Sequence, residues 1–209
     1  MKKITNKISG FCVAFLGPDG SGKTTLIKSL EAEFRNKFNG INYFHFRPNF
    51  LNFSKNKNKN KNIPNYNPHE KLNRSLIFSS FKIFYFYLDY IIGFFFHISR
   101  LKVNGNLIIF DRYYDDLLID PRRYRYGSSM KLVRVVGRLI PKPDLYIILD
   151  ASVENIHKRK QEVKPEETGR QRKAYLEFAY RNKNCIIINT NKSVTESIKN
   201  ISSKINSRP

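Results

Sequence analysis

Apolar and polar positions along the chain follow two periods. Short apolar runs of strand length recur at Phe11 to Leu16, Ile41 to Phe46, Asn106 to Phe110, Leu145 to Leu149 and Cys185 to Ile188. Between them apolar residues return at helical spacing: Leu26, Ile27, Leu30, Phe34 and Phe38; Lys131 to Leu139; Tyr175, Leu176, Phe178 and Ala179; and Val194, Ile198, Ile201 and Ile205. Punctuation falls where the period changes. Asn39-Gly40 stops the first helix, Gly105 marks a turn and Pro141 and Pro143 close the short helix. Ser152 is placed to cap a helix, and Ser193-Val194-Thr195-Glu196 forms a capping box. Strands alternating with helices through right-handed crossovers predict one α/β domain, residues 1–209, with a parallel sheet and helices on both faces.

Two stretches depart from this alternation. Asn49 to Glu70 is polar and proline-containing, and inside it Ser54 to Asn62 reads SKNKNKNKN, so residues 49–70 are expected to be a disordered low-complexity loop. Leu72 to Leu101 has the opposite character, with a nearly unbroken apolar centre from Ile83 to Phe96. Lys82 and Asp89 fall inside it and His97 close behind, and a mid-bilayer charge costs ~3 kcal/mol or more, so a helix buried between the sheet and neighbouring segments is expected rather than a membrane span. Asp89 then needs a partner: an arginine, a backbone donor or a substrate hydroxyl.

Composition changes this picture little. The net charge of +21 favours anionic partners, but part of it lies in the Lys-Asn repeat. No recognition motif accompanies the charge, so no specific nucleic acid is expected. Cys12 and Cys185 fall in strands and read as small buried apolar residues, in keeping with a reducing cytoplasm. The apolar run behind Met1-Lys2-Lys3 is too short for a secretory signal.

The sharpest chemistry is GPDGSGKTT, Gly17 to Thr25, which matches the phosphate loop GxxxxGK[ST] between the first strand and the first helix. Gly17, Gly20 and Gly22 allow backbone angles that turn successive N–H groups inward, making a concave anion site at a helix N-terminus with Asp19, Ser21 and Thr25 around it. Lys23 is placed to reach the outer phosphates, and the Thr24 hydroxyl to ligate a bridging Mg²⁺.

Other candidates stand at strand ends, where open α/β sheets hold ligands. Arg47 follows the second strand as a holder of a substrate anion. Asp111 ends the third strand as a Mg²⁺ partner. Arg112 stands where hydrolytic ATPases commonly carry Glu, and the signals of a GTPase are missing, so transfer is favoured over hydrolysis. In DPRRYRYG, Asp120 to Gly127, Arg122, Arg123 and Arg125 suit an anionic acceptor, with Tyr124 or Tyr126 stacking on a ring. Residues 157–173 alternate both signs of charge and read as a mobile lid, with Arg159, Arg170 and Arg172 the cations over the phosphates.

GPDGSGKTT, the Arg after the second strand, DRY at the third and an Arg-containing lid before the last helix together resemble thymidylate kinase and its relatives among nucleoside and nucleotide kinases. The resemblance runs over nearly the whole chain. It implies a P-loop NTPase three-layer sandwich with sheet order 2-3-1-4-5, an ATP donor and Mg²⁺. It also implies that Lys23 and Thr24 hold donor phosphates and metal, that Asp19 lies near the acceptor sugar, that Arg47 and Arg112 bind acceptor or transferred phosphate, and that lid arginines stabilise the transition state.

The departures concern the acceptor. Thymidylate kinases usually show Arg-Glu-Pro after strand two, and a Ser and Ala-Tyr-Gln run downstream of DRY. Here Arg47-Pro48-Asn49 and DDLLIDPRRYRYG stand instead, which implies a rebuilt acceptor pocket. A nucleoside monophosphate acceptor calls on the arginines. A hydroxyl acceptor on a nucleoside or sugar calls on Asp19, Asp89 or Asp116 as base. A third reading is a nucleotide-responsive protein at an anionic membrane surface, using the basic loop and the aromatic helix. The small-molecule readings conflict with neither a homodimer nor a peripheral membrane contact.

Overall fold

The computed structural model describes residues 9–51, 75–161 and 163–207. From residue 52 onward, the loop expected at 49–70 lies outside them. Each apolar run forms a strand: β1 (Phe11–Leu16), β2 (Ile41–His45), β3 (Leu107–Asp111), β4 (Leu145–Asp150) and β5 (Cys185–Asn189). Neighbours pair in parallel in the order β2-β3-β1-β4-β5. β2 ends one residue earlier than expected because Phe46 turns into the left-handed region at φ 64°.

The central strands β1, β3 and β4 are buried on both faces and need apolar side chains at nearly every position, which is why their runs are continuous, whereas the edge strands β2 and β5 stay partly exposed. In β1, Cys12, Ala14 and Leu16 face one layer while Val13 and Phe15 face the other. The first layer contains α2 (Leu76–Gly93), α5 (Met130–Leu139) and α7 (Pro165–Arg181), through Ile83, Phe86, Tyr90, Val133, Tyr175 and Ala179. The second contains α1 (Lys23–Phe34) and α8 (Val194–Asn206), through Leu26, Leu30, Phe34, Ile201 and Ile205. Short helices α3 (Ser99–Val103), α4 (Asp116–Ile119) and α6 (Val153–Arg159) complete the described chain. The expected caps are present. Ser152 Oγ accepts from the Asn155 N–H at 3.3 Å, and Ser193 Oγ from the Glu196 N–H at 3.2 Å.

The aromatic stretch is helical, with α2 passing through a π-helical turn at Phe94–Ile98 into α3. At that turn Ser99 Oγ donates to the Phe94 carbonyl five residues back, at 2.8 Å. Gly93 admits the chain leaving β2, since a Cβ there would stand 2.6 Å from Pro48 Cβ.

The expectation of a helix buried between the sheet and neighbouring segments holds for one face only. Ser79, Ile83, Phe86, Asp89, Tyr90 and Gly93 are buried, whereas Ile77, Phe81, Phe84 and Phe95 are exposed. A sheet layer covers one stripe of a helix and α5 packs beside it, so the outer stripe has no described element over it. By length and composition alone, Leu76–Val103 would suffice to cross a membrane, yet its inner face is part of the domain core.

All five strands point their carboxyl ends to one edge of the sheet, where the loops after β1, β2, β3 and β4 meet.

Candidate active site

β1 delivers the chain into the phosphate loop, and α1 begins at Lys23. Gly20 is required at its turn: φ is 82°, and a Cβ would stand 2.9 Å from the Ile156 carbonyl oxygen. The loop borders a cleft of about 780 Å³, lined on this side by Asp19, Gly20, Gly22, Lys23, Thr24 and Thr25. Lys23 Nζ donates to the carbonyls of Gly17 at 2.8 Å and Pro18 at 2.7 Å, and lies 3.8 Å from the Asp19 carboxylate. Burial, and next the positive charge of Arg112, push this ammonium down to about 7 from its ordinary 10.5.

Asp111, at the end of β3, lines the same cleft. Its Oδ2 accepts from the Tyr43 hydroxyl at 3.1 Å, while Oδ1 is buried with no hydrogen-bond partner among the described residues. A buried carboxylate oxygen without a donor, in a cleft that Thr24 also lines, suits a hard cation that takes oxygen ligands.

The opposite wall carries the positive charge. Arg112 has left-handed backbone, φ 71°. Its Nη1 donates to both oxygens of Asp116 at 3.0 and 2.8 Å and its Nη2 to Asp19 at 2.5 Å. Arg123, from the loop after α4, donates through Nη2 to the other oxygen of Asp19 and through Nε to Asp120 at 3.1 Å. Two guanidiniums thus converge on one carboxylate beside the phosphate loop. Behind them Asp116 is fully buried and also accepts from the hydroxyls of Tyr124 at 2.6 Å and Tyr175 at 2.5 Å. Burial alone would push this carboxyl up. Arg112 and the two hydroxyls more than offset that and hold it below its ordinary value.

Other candidates lie elsewhere. Arg47 donates to Asp89 at 3.0 Å and to the Tyr85 hydroxyl at 2.8 Å, and Asp89 also accepts the N–H groups of Asn49 at 3.0 Å and Leu51 at 2.7 Å. That pair clamps the chain leaving β2, and neither residue lines the cleft. Arg122 is exposed and Arg125 half-buried, both off the cleft wall. Tyr124 lines the cleft but stacks on Phe46, with ring centroids 4.4 Å apart, and Tyr126 is buried in the core.

The segment read as a lid divides among three structures: the end of α6, a connection, and the start of α7. Arg159 lines the cleft and donates to the Thr190 carbonyl at 2.9 Å. It also borders a smaller cavity of about 260 Å³ that shares Gly22 and Thr25 with the cleft and is lined further by Thr190, Lys192 and Ser197. Arg170 pairs with Glu167 at 2.6 Å and Arg172 with Asp150 at 2.5 Å, both outside the cleft lining.

Sequence reasoning missed His45 on the cleft wall and Tyr43, Gln171 and Tyr175 as hydrogen-bond partners of Asp111, Asp120 and Asp116, and it did not single out Lys160, on the same wall, within the lid segment. Tyr175 carried only the signal of a core position on an amphipathic helix, Lys160 and Gln171 only their place in the charged run, and Tyr43 and His45 none.

A phosphate loop opening a helix at the carboxyl edge of a 2-3-1-4-5 parallel sheet, faced by an acid and two guanidiniums, defines a P-loop phosphotransferase. A sequence model of the family described as thymidylate kinase matches residues 15–201. A relative from Sulfolobus acidocaldarius, called "Probable thymidylate kinase", is 27% identical over 204 residues, covering 89% of this chain and 91% of the relative. The solved thymidylate kinase of Ehrlichia chaffeensis has a TM-score of 0.60 at 18% identity, covering 94% of this chain and 99% of that one. The Candida albicans thymidylate kinase structure has the same score and identity, with 95% and 92% covered. At that identity the two structures speak for the fold. The chain belongs to the thymidylate kinase family and is an ATP-dependent phosphotransferase acting on nucleotides.

Proposed function

We propose that the chain transfers the terminal phosphoryl group of ATP, with Mg²⁺, to the phosphate of a nucleoside monophosphate such as thymidine monophosphate. The observation that carries this reading is the convergence of Arg112 and Arg123 on Asp19, next to Lys23. Asp19 there occupies the place of an anion, and an acceptor phosphate would likewise offer anionic oxygens to the planar forks of both guanidiniums. Transfer to a phosphate oxygen needs alignment and charge neutralisation rather than a strong base. Two of the three carboxylates that a hydroxyl acceptor would call on, Asp89 and Asp116, are spent on internal partners. That weighs against the hydroxyl alternative.

In this reading the phosphate-loop N–H groups and Lys23 hold the donor phosphates. Arg159 and the cavity beyond Gly22 take the donor nucleoside side. Thr24 and the unpartnered oxygen of Asp111 would hold Mg²⁺, which when bound neutralises charge on the phosphates. Arg112 and Arg123 take the acceptor phosphate, and Asp19, released from them, faces the acceptor sugar. Arg170 and Arg172 reach the phosphates only if the start of α7 moves toward the cleft. A cytoplasmic location is part of the same proposal and is in keeping with its nucleotide donor.

The test is initial-rate kinetics with Mg-ATP against a panel of nucleoside monophosphates, nucleosides and sugars, with products identified by mass. Thymidine monophosphate is expected to be phosphorylated, and Arg123→Ala to raise the acceptor KM about tenfold or more while leaving the ATP KM alone. Transfer only to a hydroxyl, or an unchanged acceptor KM in Arg123→Ala, would refute the assignment.

A further inference from the structure

Asp116 is a fully buried carboxylate behind the cleft wall, and it does not line the cleft. Both of its oxygens are occupied, accepting Arg112 Nη1 together with the hydroxyls of Tyr124 and Tyr175, and its solvent exposure is zero. A general base needs a lone pair facing its substrate; this carboxylate has none to offer. Its partners come from three places in the chain: Arg112 just after β3, Tyr124 on the arginine-rich loop, and Tyr175 on α7, the helix that follows the charged connection.

Arg112 is held in two halves. Nη1 is committed behind the cleft wall to Asp116 and, at 3.3 Å, to the Tyr175 hydroxyl, while Nη2 points to Asp19 in the cleft. Its left-handed backbone is a conformation that a side-chain-bearing residue keeps only where the surroundings impose it. We infer that Asp116, braced by Tyr175, is a positioning residue: it anchors Nη1 so that Nη2 is presented to the acceptor phosphate, and it ties the aim of Arg112 to the seating of α7. When the acceptor arrives it displaces Asp19 from Nη2, and Asp116 keeps its hold on Nη1. This rests on the reading of Arg112 as an acceptor-phosphate ligand.

The experiment is a double-mutant cycle with Mg-ATP and thymidine monophosphate, using Arg112→Ala, Asp116→Asn, Tyr175→Phe and the two pairs with Arg112→Ala. Asp116→Asn should lower kcat/KM for the acceptor about a hundredfold and Tyr175→Phe about tenfold, with the ATP KM within about twofold of wild type. In the Arg112→Ala background each should cost less than about twofold, because nothing remains to be positioned. Equal costs in both backgrounds would overturn the inference. If Asp116→Asn does not fold, Tyr175→Phe carries the cycle alone.

A second readout needs no substrate. In protein labelled with ¹⁵N-arginine, the Arg112 guanidinium, assigned by its loss in Arg112→Ala, should give distinct Nη1 and Nη2 signals that average in Asp116→Asn and in Tyr175→Phe. Signals still distinct in both variants would overturn the positioning role. Full turnover in Arg112→Ala would instead overturn the acceptor-phosphate reading, and the spectra would separate the two failures.

Discussion

Lys23 offers a prediction whose magnitude follows from its surroundings. Its ammonium is buried beside Arg112 and sits at about 7, against an ordinary 10.5, so near neutral pH only about half of the molecules carry that charge before nucleotide binds. A bound polyphosphate restores the proton. Affinity for Mg-ATP should therefore weaken by about 1 + 10^(pH − 7): roughly twofold at pH 7, tenfold at pH 8 and a hundredfold at pH 9, with uptake of about 0.5 proton at pH 7 and 0.9 at pH 8. Calorimetric titration in buffers of different ionisation enthalpy reads both quantities, and Lys23→Arg, charged throughout, should abolish the uptake.

Stability carries the same signature. The folded value lies below the unfolded one, so the unfolded chain binds more protons between about pH 7 and 10.5. The cost of the buried charge is then fully present below pH 7 and fades as pH rises across that window. Tyr124 and Tyr175, pushed well above 10 by burial, act in the opposite sense only above about pH 10, where the unfolded tyrosines ionise. Mg-ATP affinity that is flat from pH 7 to 9, with no buffer dependence, would refute the reasoning.

Asp89→Ala leaves the Arg47 guanidinium and two backbone N–H groups without their acceptor, and should cost about 3 kcal/mol, or a fall in Tm of about 6–12 °C, while the acceptor KM of the folded fraction stays near wild type. A cost below about 1 kcal/mol by chemical denaturation would show that the clamp is not structural. Arg159→Ala should raise the ATP KM about tenfold, since Arg159 borders both the cleft and the adjoining cavity. Arg172→Ala should change turnover less than about threefold, because its partially exposed guanidinium is paired with Asp150. A larger effect of Arg172→Ala than of Arg159→Ala in steady-state kinetics would show that α7 does reach the phosphates during the reaction.

Much of this protein was legible before any coordinates. Five apolar runs, their spacing and their turn residues determined the strands to within a residue or so, and most plainly the central β1, β3 and β4, where burial on both sheet faces leaves a continuous signal that local sequence records. GPDGSGKTT determined the loop, since only glycine-rich backbone can wrap an anion at a helix start. DRY and DPRRYRYG located the charged wall, but not which arginine does what. Partnership decided that. Arg47 and Arg123 are similar as letters, yet one is drawn to Asp89 across 42 positions and the other to Asp19 across 104. The same holds for Asp116, which reads as a free acid beside DRY until Tyr175, 59 positions later, closes over it. Periodicity likewise marked the aromatic helix as apolar all round without saying that one stripe stays uncovered. Local sequence encodes which face a segment buries. Pairing, and the roles that depend on it, arise only when distant segments meet.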